Sequence, residues 1–413
     1  MADELGIDSI RCLDDVVPVL FQHTVYKSYP VSLLEKYRFG ALTKWLNRLS
    51  TIDLSKIDVS DCDSIDAWMD RICGETELLL THSSGTSGAM SFLPRSKREY
   101  EMFFQAMRMG MMHSLDPEGT QDLSQHFFHV IWPTFSKGRS GIFRSAEFFR
   151  RYIAGSDERF HAINEGMMSS DIVFLAGRLA AAKARGELDR IELDPRLRRR
   201  QPEFEETQRQ AHIPIGTLVD MILSLKGERQ LMSGTWAQQW KIAQEGLRRG
   251  ERNVFAPGSI VVIGGGSKGQ AVPDDWQEQV KEFTGVQRFH DTYGMTEVTS
   301  PAFLCSAQHY HIVPWVLLYV LDPDDGTPYP REGVHTGRAA FCDLLAGTYW
   351  GGFISGDEVT VDWLPCPCGQ TTARIRRAVQ RFSEKRGGDD KISCAASEEA
   401  HNNALTFLTD ELH

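Results

Sequence analysis

The run from Val261 to Glu297 constrains this chain more than any other stretch. Val261-Val262-Ile263 is an apolar run that ends in Gly264-Gly265-Gly266. An apolar run closed by glycines predicts a buried strand and a tight turn. Asp274 to Phe283 then reads as a helix, and Asp291-Thr292-Tyr293-Gly294-Met295-Thr296-Glu297 ends the unit as a short strand and a polar loop. Strand, glycine turn, helix and strand in that order predict an α/β fold with an open sheet. Ligands of such sheets bind in the loops outside the carboxyl ends of the strands. A flat ring, a hydroxyl and a carboxylate within five residues suit a base plane, a phosphate oxygen and a magnesium ion. An ordinary polar turn has the same composition.

A second loop lies two hundred residues upstream. Leu78-Leu79-Leu80-Thr81 runs into Ser83-Ser84-Gly85-Thr86-Ser87-Gly88. An apolar entry into a Ser/Thr/Gly loop leaves backbone N–H groups and hydroxyls free to cradle phosphate oxygens. The pattern GxxxxGK[ST] is absent, so this is not a Walker A loop. Taken alone, it reads more simply as a solvated Ser/Gly linker.

Together the two loops resemble the adenylate-forming superfamily of acyl-CoA synthetases, peptide-synthetase adenylation domains and luciferases. The glycine triplet followed by Ser267-Lys268, and Cys366-Pro367-Cys368-Gly369, narrow the likeness. They are most similar to the branch holding phenylacetate-CoA ligases and the acyl-protein synthetases of bacterial bioluminescence. The likeness runs from roughly Leu78 to Ile392. It implies a large multi-sheet α/β body with helices packed on the sheets over residues 1–383. Residues 384–413 would be a hinge remnant and a helix in place of the C-terminal lid.

The resemblance also implies an activity. An aryl or fatty carboxylate would attack the α-phosphorus of ATP, giving an acyl-adenylate and pyrophosphate. The acyl group would pass to a thiol, on coenzyme A or a carrier protein, or to an amine. Ser83, Ser84, Thr86 and Ser87, with Gly85 and Gly88, would hold the β- and γ-phosphates. Gly265 and Gly266 would face the adenine, where a missing side chain permits close backbone approach. Tyr293, beside Gly294, would stack on the base. Thr296 would contact the α-phosphate and Glu297 would ligate Mg²⁺. Ser355-Gly356-Asp357 matches the family's Thr-Gly-Asp, whose aspartate holds the ribose hydroxyls, with Arg374 or Arg376 beside it.

Three departures qualify this. The family follows its glycine loop with a lysine, whereas Ala89-Met90-Ser91 stands here, so charge neutralisation passes to Arg95 or Lys97. The hinge pattern Gly-Arg-x-Asp-Asp is shifted in Lys385-Arg386-Gly387-Gly388-Asp389-Asp390, and only 23 residues follow Asp390. The family's mobile domain does not fit in that length, so its lysine is missing or is replaced by Lys391, Lys268 or a partner protein. Without a lid the adenylate would be exposed to water. Two other readings therefore stay open: a nucleotide-binding module without catalysis, and an adenylating enzyme that hands a non-acyl group to an amine in secondary metabolism.

Cys305, His311, Cys366 and Cys368 form a Cys₃His set, a common closed coordination sphere for structural Zn²⁺. His309 rivals His311, and buried free thiols are the alternative. In the bioluminescence synthetases the acyl group passes to a cysteine near the C-terminus, a part that the resemblance would give to Cys394, although a lone thiol is more often inert. The tail from Ser397, with Leu405, Leu408 and Leu412 on one face, reads as a docked helix.

The net charge of −11 argues against nucleic acid as a main partner. Met1 to Leu5 lacks the basic start and apolar core of a signal peptide. The apolar run Val313 to Leu321 is too short to span a bilayer. Eight cysteines in 413 residues fit a reducing cytoplasm. Helices are expected over Val31–Leu46, Lys97–His113, Ile172–Arg185, Ile213–Leu225 and Trp236–Arg249. Strands are expected over Phe127–Trp132, Val316–Leu321, Gly337–Cys342 and Glu358–Val361, with a loop over Pro133–Gly138 and a solvated basic face at Arg196–Arg200.

Overall fold

The computed structural model describes residues 7–83, 88–115, 127–211, 214–264, 272–382 and 404. The chain is α/β, built on a 13-stranded sheet with a separate two-stranded hairpin. A short N-terminal strip, β1 (Phe21–Gln22), precedes the hairpin of β2 (Thr81–His82) and β3 (Phe92–Leu93). Five strands then run parallel: β4 (His129–Lys137), β5 (Phe160–Met167), β6 (Gln230–Gly234), β7 (Ile260–Ile263) and β8 (Phe289–Tyr293). Their spatial order is β5-β4-β6-β7-β8. Because β5 lies on one side of β4 and β6 on the other, the strand order reverses between β4 and β6, the place in open sheets where ligands bind.

The remaining strands are β9 (Ala302–Leu304), β10 (His309–His311), β11 (Val316–Leu321), β12 (Val334–Asp343), β13 (Gly352–Asp362), β14 (Arg374–Arg376) and β15 (Gln380–Arg381). They continue the sheet antiparallel from β8, in the order β9-β10-β14-β13-β12-β11. Both β1 and β15 pair with β13.

Burial on both faces explains why the parallel strands are apolar throughout. Successive residues point to opposite faces. Thus Ile131, Met232, Val261 and Ile263 pack under the helices Ile215–Ser224, Trp236–Arg248 and Trp276–Thr284. Val130, Trp132, Leu231 and Ile260 face Phe104, Met107, Met111 and Phe148 of the helices Lys97–Leu115 and Gly141–Phe148. A third cluster, around Leu42, Leu46, Trp68, Ile72, Phe92 and Ile172, joins the N-terminal helices to the hairpin. Ala404 is buried in it as well. The hinge-like Lys385–Lys391, Cys394 and the rest of the expected tail helix lie outside the described residues.

Four expectations are corrected. The helix expected over Val31–Leu46 is two helices, Ser32–Glu35 and Phe39–Asn47, separated at Tyr37, whose φ is +48°. No right-handed helix passes through a left-handed residue. The loop expected from Pro133 is strand, since β4 continues to Lys137. Pro133 falls where the register against β5 shifts, which is where a strand tolerates a residue without an N–H. Glu358–Val361 is the second half of one long strand that already includes Asp357. Arg196 and Arg200 are also engaged rather than merely solvated. Arg196 Nε lies 3.1 Å from Asp194, and Arg200 Nη1 lies 3.1 Å from the buried Asp171.

The two halves of the molecule are tied by Glu99, which is 4% exposed. Its carboxylate accepts from Ser96 N at 2.6 Å and Ser96 Oγ at 2.8 Å at the helix start. It also accepts from the N–H groups of Gly347 and Thr348 and from the Thr348 hydroxyl. Burial opposes its ionisation, but these donors prevail and hold its pKa below the usual glutamate value. A depressed folded-state pKa contributes stability above the unfolded-state value and loses it as pH falls through the folded-state value. We expect Glu99→Ala to cost about 3 kcal/mol in denaturant unfolding at neutral pH. The stability gap between wild type and Glu99→Gln should be full above roughly pH 4.5 and narrow below it.

Candidate active site

Tyr293 is the last residue of β8, so its ring stands at the carboxyl edge where the parallel strands end. Its hydroxyl donates to Asp357 Oδ2 at 2.8 Å, joining two residues 64 positions apart. Burial, then the Asp357 charge, push the phenol well above its ordinary pKa, so it stays a neutral donor. Asp357 Oδ1 is 3.9 Å from Arg381 Nε, because β15 sets Arg381 directly opposite Asp357. The arginine at Asp357 is therefore neither Arg374 nor Arg376. Arg374 is opposite Asp362, five residues further along β13 and roughly 16 Å away at about 3.3 Å per residue. It is 8% exposed and donates to Asp362 Oδ2 at 2.7 Å and to the Pro365 carbonyl at 3.2 Å. Arg376 is opposite His309 and exposed.

The loop beyond Tyr293 is held by its main chain. Arg95 Nη2 donates to the Thr296 carbonyl at 3.1 Å and to the Tyr349 hydroxyl at 2.7 Å, and that hydroxyl donates to the Glu297 carbonyl at 3.1 Å. The guanidinium sits between the Tyr100 and Tyr349 rings, 5.3 and 5.4 Å from their centroids. It is 3% exposed, and its Nε is buried with no hydrogen-bond partner among the described residues. Burial opposes its charge, yet the tyrosines and Asp343 keep it firmly protonated. Lys97, the rival cation, points elsewhere: its ammonium donates to the carbonyls of Cys73 and Thr76, both at 3.2 Å. Gly141 closes the other side, since a Cβ there would stand 3.3 Å from Thr296 Oγ1. Glu297 is 9% exposed, and burial raises its pKa. A buried carboxylate that resists ionising becomes favourable once a cation sits on it, so this residue fits a divalent ion.

The serine-glycine loop springs from β2 and returns in β3. Ser83 and Ser91 close its base: Ser83 N donates to the Ser91 carbonyl, and Ser91 N donates to Ser83 Oγ, both at 2.9 Å. Gly88 has φ +83°, a conformation that side chains disfavour. Ser84, Gly85, Thr86 and Ser87 lie outside the described residues, as do Gly265, Gly266 and Lys268. Behind the loop, His82 is 1% exposed. A carbonyl only accepts, so Nδ1–H donates to the Ser83 carbonyl at 2.7 Å and Nε2 accepts from Ser170 Oγ at 3.0 Å. Burial takes its pKa down to about 4, which keeps the ring neutral and this tautomer fixed.

Across the sheet, Cys305, His311, Cys366 and Cys368 converge, with ligand atoms all within 4.8 Å of one another. Cys305 Sγ and Cys366 Sγ are 3.9 Å apart, and Cys368 Sγ is 3.4 Å from His311 Nε2. A metal about 2.3 Å from each thiolate requires sulfurs about 3.8 Å apart, so the set fits a tetrahedral ion. His311 Nδ1 bonds Thr372 Oγ1 at 3.1 Å, leaving Nε2 as the ligand atom. His309 Nδ1 approaches Cys366 Sγ only to 3.8 Å. Burial opposes ionising Cys366, but the Cys368 N–H and Arg374 hold its thiol below the usual range. Cys368 is pushed up to about 11 by burial and then by its neighbouring thiols. One thiolate is favoured and a second beside it is opposed until a cation arrives. A cavity of about 400 Å³, lined by Met109, Phe303, His311 and Trp315 among others, opens beside this cluster. Tyr293, Thr296, Glu297 and Asp357 do not line it.

Sequence reading missed Arg381, Tyr349 and His82. Only His82, as the residue at the mouth of the serine loop, carried a local signal. Tyr349→Phe removes the donor to Glu297's carbonyl and the acceptor for Arg95. It should cost about 1–2 kcal/mol in equilibrium unfolding.

No family model and no curated protein matches the chain. Among solved structures it is similar to ATP-bound MatB from Rhodopseudomonas palustris, at 12% identity and a TM-score of 0.39, over 72% of this chain and 46% of that one. It is similar to 2-hydroxyisobutyryl-CoA ligase in the postadenylation state with R3-HIB-AMP, at 12% identity and a TM-score of 0.43, over 87% and 70%. It is also similar to the amide bond synthetase McbA from Marinactinospora thermotolerans, at 12% identity and a TM-score of 0.39, over 73% and 48%. The chain spans less than half the length of MatB and of McbA. No helix among the described residues is long and apolar enough to cross a membrane.

Proposed function

We propose that this chain activates an aryl or fatty carboxylic acid as its acyl-adenylate and passes the acyl group to a thiol or an amine. The observation that carries the reading is the meeting of Tyr293, Asp357 and Arg381 beside a buried Glu297, at the open edge of the parallel strands. Those residues supply a ring for the base, a carboxylate for paired ribose hydroxyls and a carboxylate for Mg²⁺. The motif resemblance of both loops supports the same assignment.

In this reading a carboxylate oxygen of the acid forms a bond to the α-phosphorus as the bond to the β-phosphate oxygen breaks, releasing pyrophosphate. Charge builds on the α-phosphoryl oxygens, so preorganised donors matter most there. Thr296 donates its hydroxyl at that position, held from behind by Arg95 and from the side by Gly141. Asp357 and Arg381 orient the ribose. Ser83, Ser84, Gly85, Thr86, Ser87 and Gly88 wrap the departing phosphates, and Gly265 and Gly266 face the adenine. Lys268 is a further candidate cation. Mg²⁺ on Glu297 would neutralise phosphate oxygens. The acid itself would enter the crevice at the ends of β4 and β6, near Gly138 and Gly234. The activated acyl carbon then transfers to the acceptor as AMP departs. The Cys/His set would hold one structural Zn²⁺, without an open position for chemistry.

ATP–pyrophosphate exchange across a panel of aryl and fatty acids tests the reaction. If no acid of the panel supports exchange, only nucleotide binding is left. Glu297→Gln should lower exchange about a hundredfold, the scale of losing one preorganised charge-stabilising group; an unchanged rate at saturating Mg²⁺ removes Glu297 from the site. Metal analysis should find one zinc per chain, and Cys366→Ser should lose it together with several degrees of melting temperature. Metal-free protein of undiminished stability ends the zinc assignment.

A further inference from the structure

The cavity of about 400 Å³ beside the Cys/His set takes no part in the proposed reaction. Its walls are the second half of the helix Lys97–Leu115, β9 with the two residues beyond it, the segment from His311 to Trp315, and the turn from Cys368 to Thr372. Phe303 of β9 is opposite Thr292 of β8 and His311 of β10. Residues directly opposite share a face of the sheet, and successive residues alternate. Phe303, Cys305 and His311 therefore stand on one face with Thr292, whereas Tyr293 points to the other. The packing agrees, since Phe303 joins the cluster of Phe104 and Met107 and Tyr293 joins that of Leu304 and Tyr310. The helix meets the first face at Gly110, where a Cβ would overlap the Phe303 ring. The hollow lies beside that contact, across the sheet from Tyr293.

Hydrogen bonds hold these walls in place. The Trp315 indole donates to Ser300 Oγ at 2.6 Å, Leu344 N donates to the Trp315 carbonyl at 3.0 Å, and Ser114 Oγ donates to the Leu304 carbonyl at 2.8 Å. Small-molecule sites run from roughly 300 to 1,000 Å³, so a hollow of this size can bury most of a compact ligand. None of the described residues that line it is Asp, Glu, Lys or Arg. A charge buried there would go unpaired at large cost, which makes an ionised acid or a nucleotide a poor occupant. The Phe303 and Trp315 rings and the Met109 thioether suit a flat ring instead, through edge or offset stacking and sulfur–aromatic contact. Ser306 and Thr371, both exposed, and Gln370 offer uncharged hydrogen-bonding groups. The remaining wall is the cluster: Cys305, His311 and Cys368, three of its four residues, line the cavity. Cys368 begins the turn that ends at Thr372, whose hydroxyl bonds His311 Nδ1 at 3.1 Å. A metal held by the set would fix that turn against β9 and β10.

We propose that this cavity is a second ligand site, which binds a small uncharged aromatic molecule, and that the metal-bound Cys/His set is the wall that keeps it formed. The ligand is neither the acid nor the nucleotide of the adenylation reading, because both would bring an unpaired charge into the hollow. The site itself stands on the cavity and its lining. The part given to the metal rests on the structural Zn²⁺ reading.

The test uses the full, metal-loaded chain and an uncharged naphthyl ketone dye whose emission moves to the blue in apolar surroundings. The dye should saturate a single site, and naphthol should displace it. Naphthoate, the same ring with a charge, should compete at least roughly tenfold more weakly. MgATP should not displace the dye. Met109 is 60% exposed at the rim, so Met109→Glu should keep the wild-type melting temperature while weakening the dye roughly tenfold. Val313→Trp, which fills the hollow, should abolish binding. Stripping the metal with a chelator should weaken the dye, and added Zn²⁺ should restore it. In protein loaded with Co²⁺, naphthol should shift the d–d absorption bands and leave the thiolate charge-transfer bands at full intensity. Absence of saturable dye binding overturns the site, as does displacement by MgATP, equal affinity for naphthol and naphthoate, or wild-type affinity in a folded Met109→Glu protein. Undiminished dye binding by stripped protein overturns the role of the metal. Protein that is purified metal-free and stable yet binds the dye at this cavity refutes the structural Zn²⁺ reading and leaves the ligand site standing.

Discussion

Strand β8 is hydrogen-bonded differently on its two edges, parallel to β7 and antiparallel to β9, and the whole site depends on that. Parallel strands end together, which gathers the turns after β4, β6, β7 and β8 along one rim. Antiparallel strands return by short connections, which brings β13 back across the same rim from sixty residues away. Tyr293 ends β8 at the seam between the two arrangements. Its bond to Asp357 is the chemical consequence of that change of direction.

Charge is managed at this seam by enclosure. Glu297 and Arg95 are both buried, and neither has a direct ion-pair partner among the described residues. Arg95 is satisfied by two tyrosine rings, a carbonyl and a hydroxyl, so its positive charge remains available to the field of the loop. A buried, partly compensated pair of this kind is unfavourable by itself. His82 solves a different problem in the same region. It is held neutral, so it fixes the Ser83 carbonyl at the base of the serine-glycine loop without adding charge there.

The Cys/His cluster was legible as a set of residue types, and its members do converge. What no spacing rule contained was the choice between His309 and His311. These histidines flank Tyr310 in β10, and both lie on the same face of the strand by alternation. The cluster selects His311 because Thr372 orients its ring and Cys368 Sγ approaches its Nε2 to 3.4 Å. The arginine that stands beside Asp357 was hidden for a related reason. Arg374 and Arg376 stood nearest after Asp357 in the obvious strand, but β14 pairs further along β13, and the later β15 supplies the register partner, Arg381.

By itself the sequence determined the α/β class, the strand, helix and second strand of the Val261–Glu297 stretch, most helix spans to within two or three residues, and the residue types at both loops. These depend on local periodicity, on glycine placement and on chemistry within a few residues, all of which survive in one dimension. The tertiary structure alone decided which distant side chains stand behind those loops: Arg95 and Tyr349 on the Thr296–Glu297 backbone, and Arg381 beside Asp357. Each is a contact across tens to hundreds of residues, set by strand register and by the change from parallel to antiparallel pairing. A one-residue difference in that register would turn the same side chains to the opposite face of the sheet.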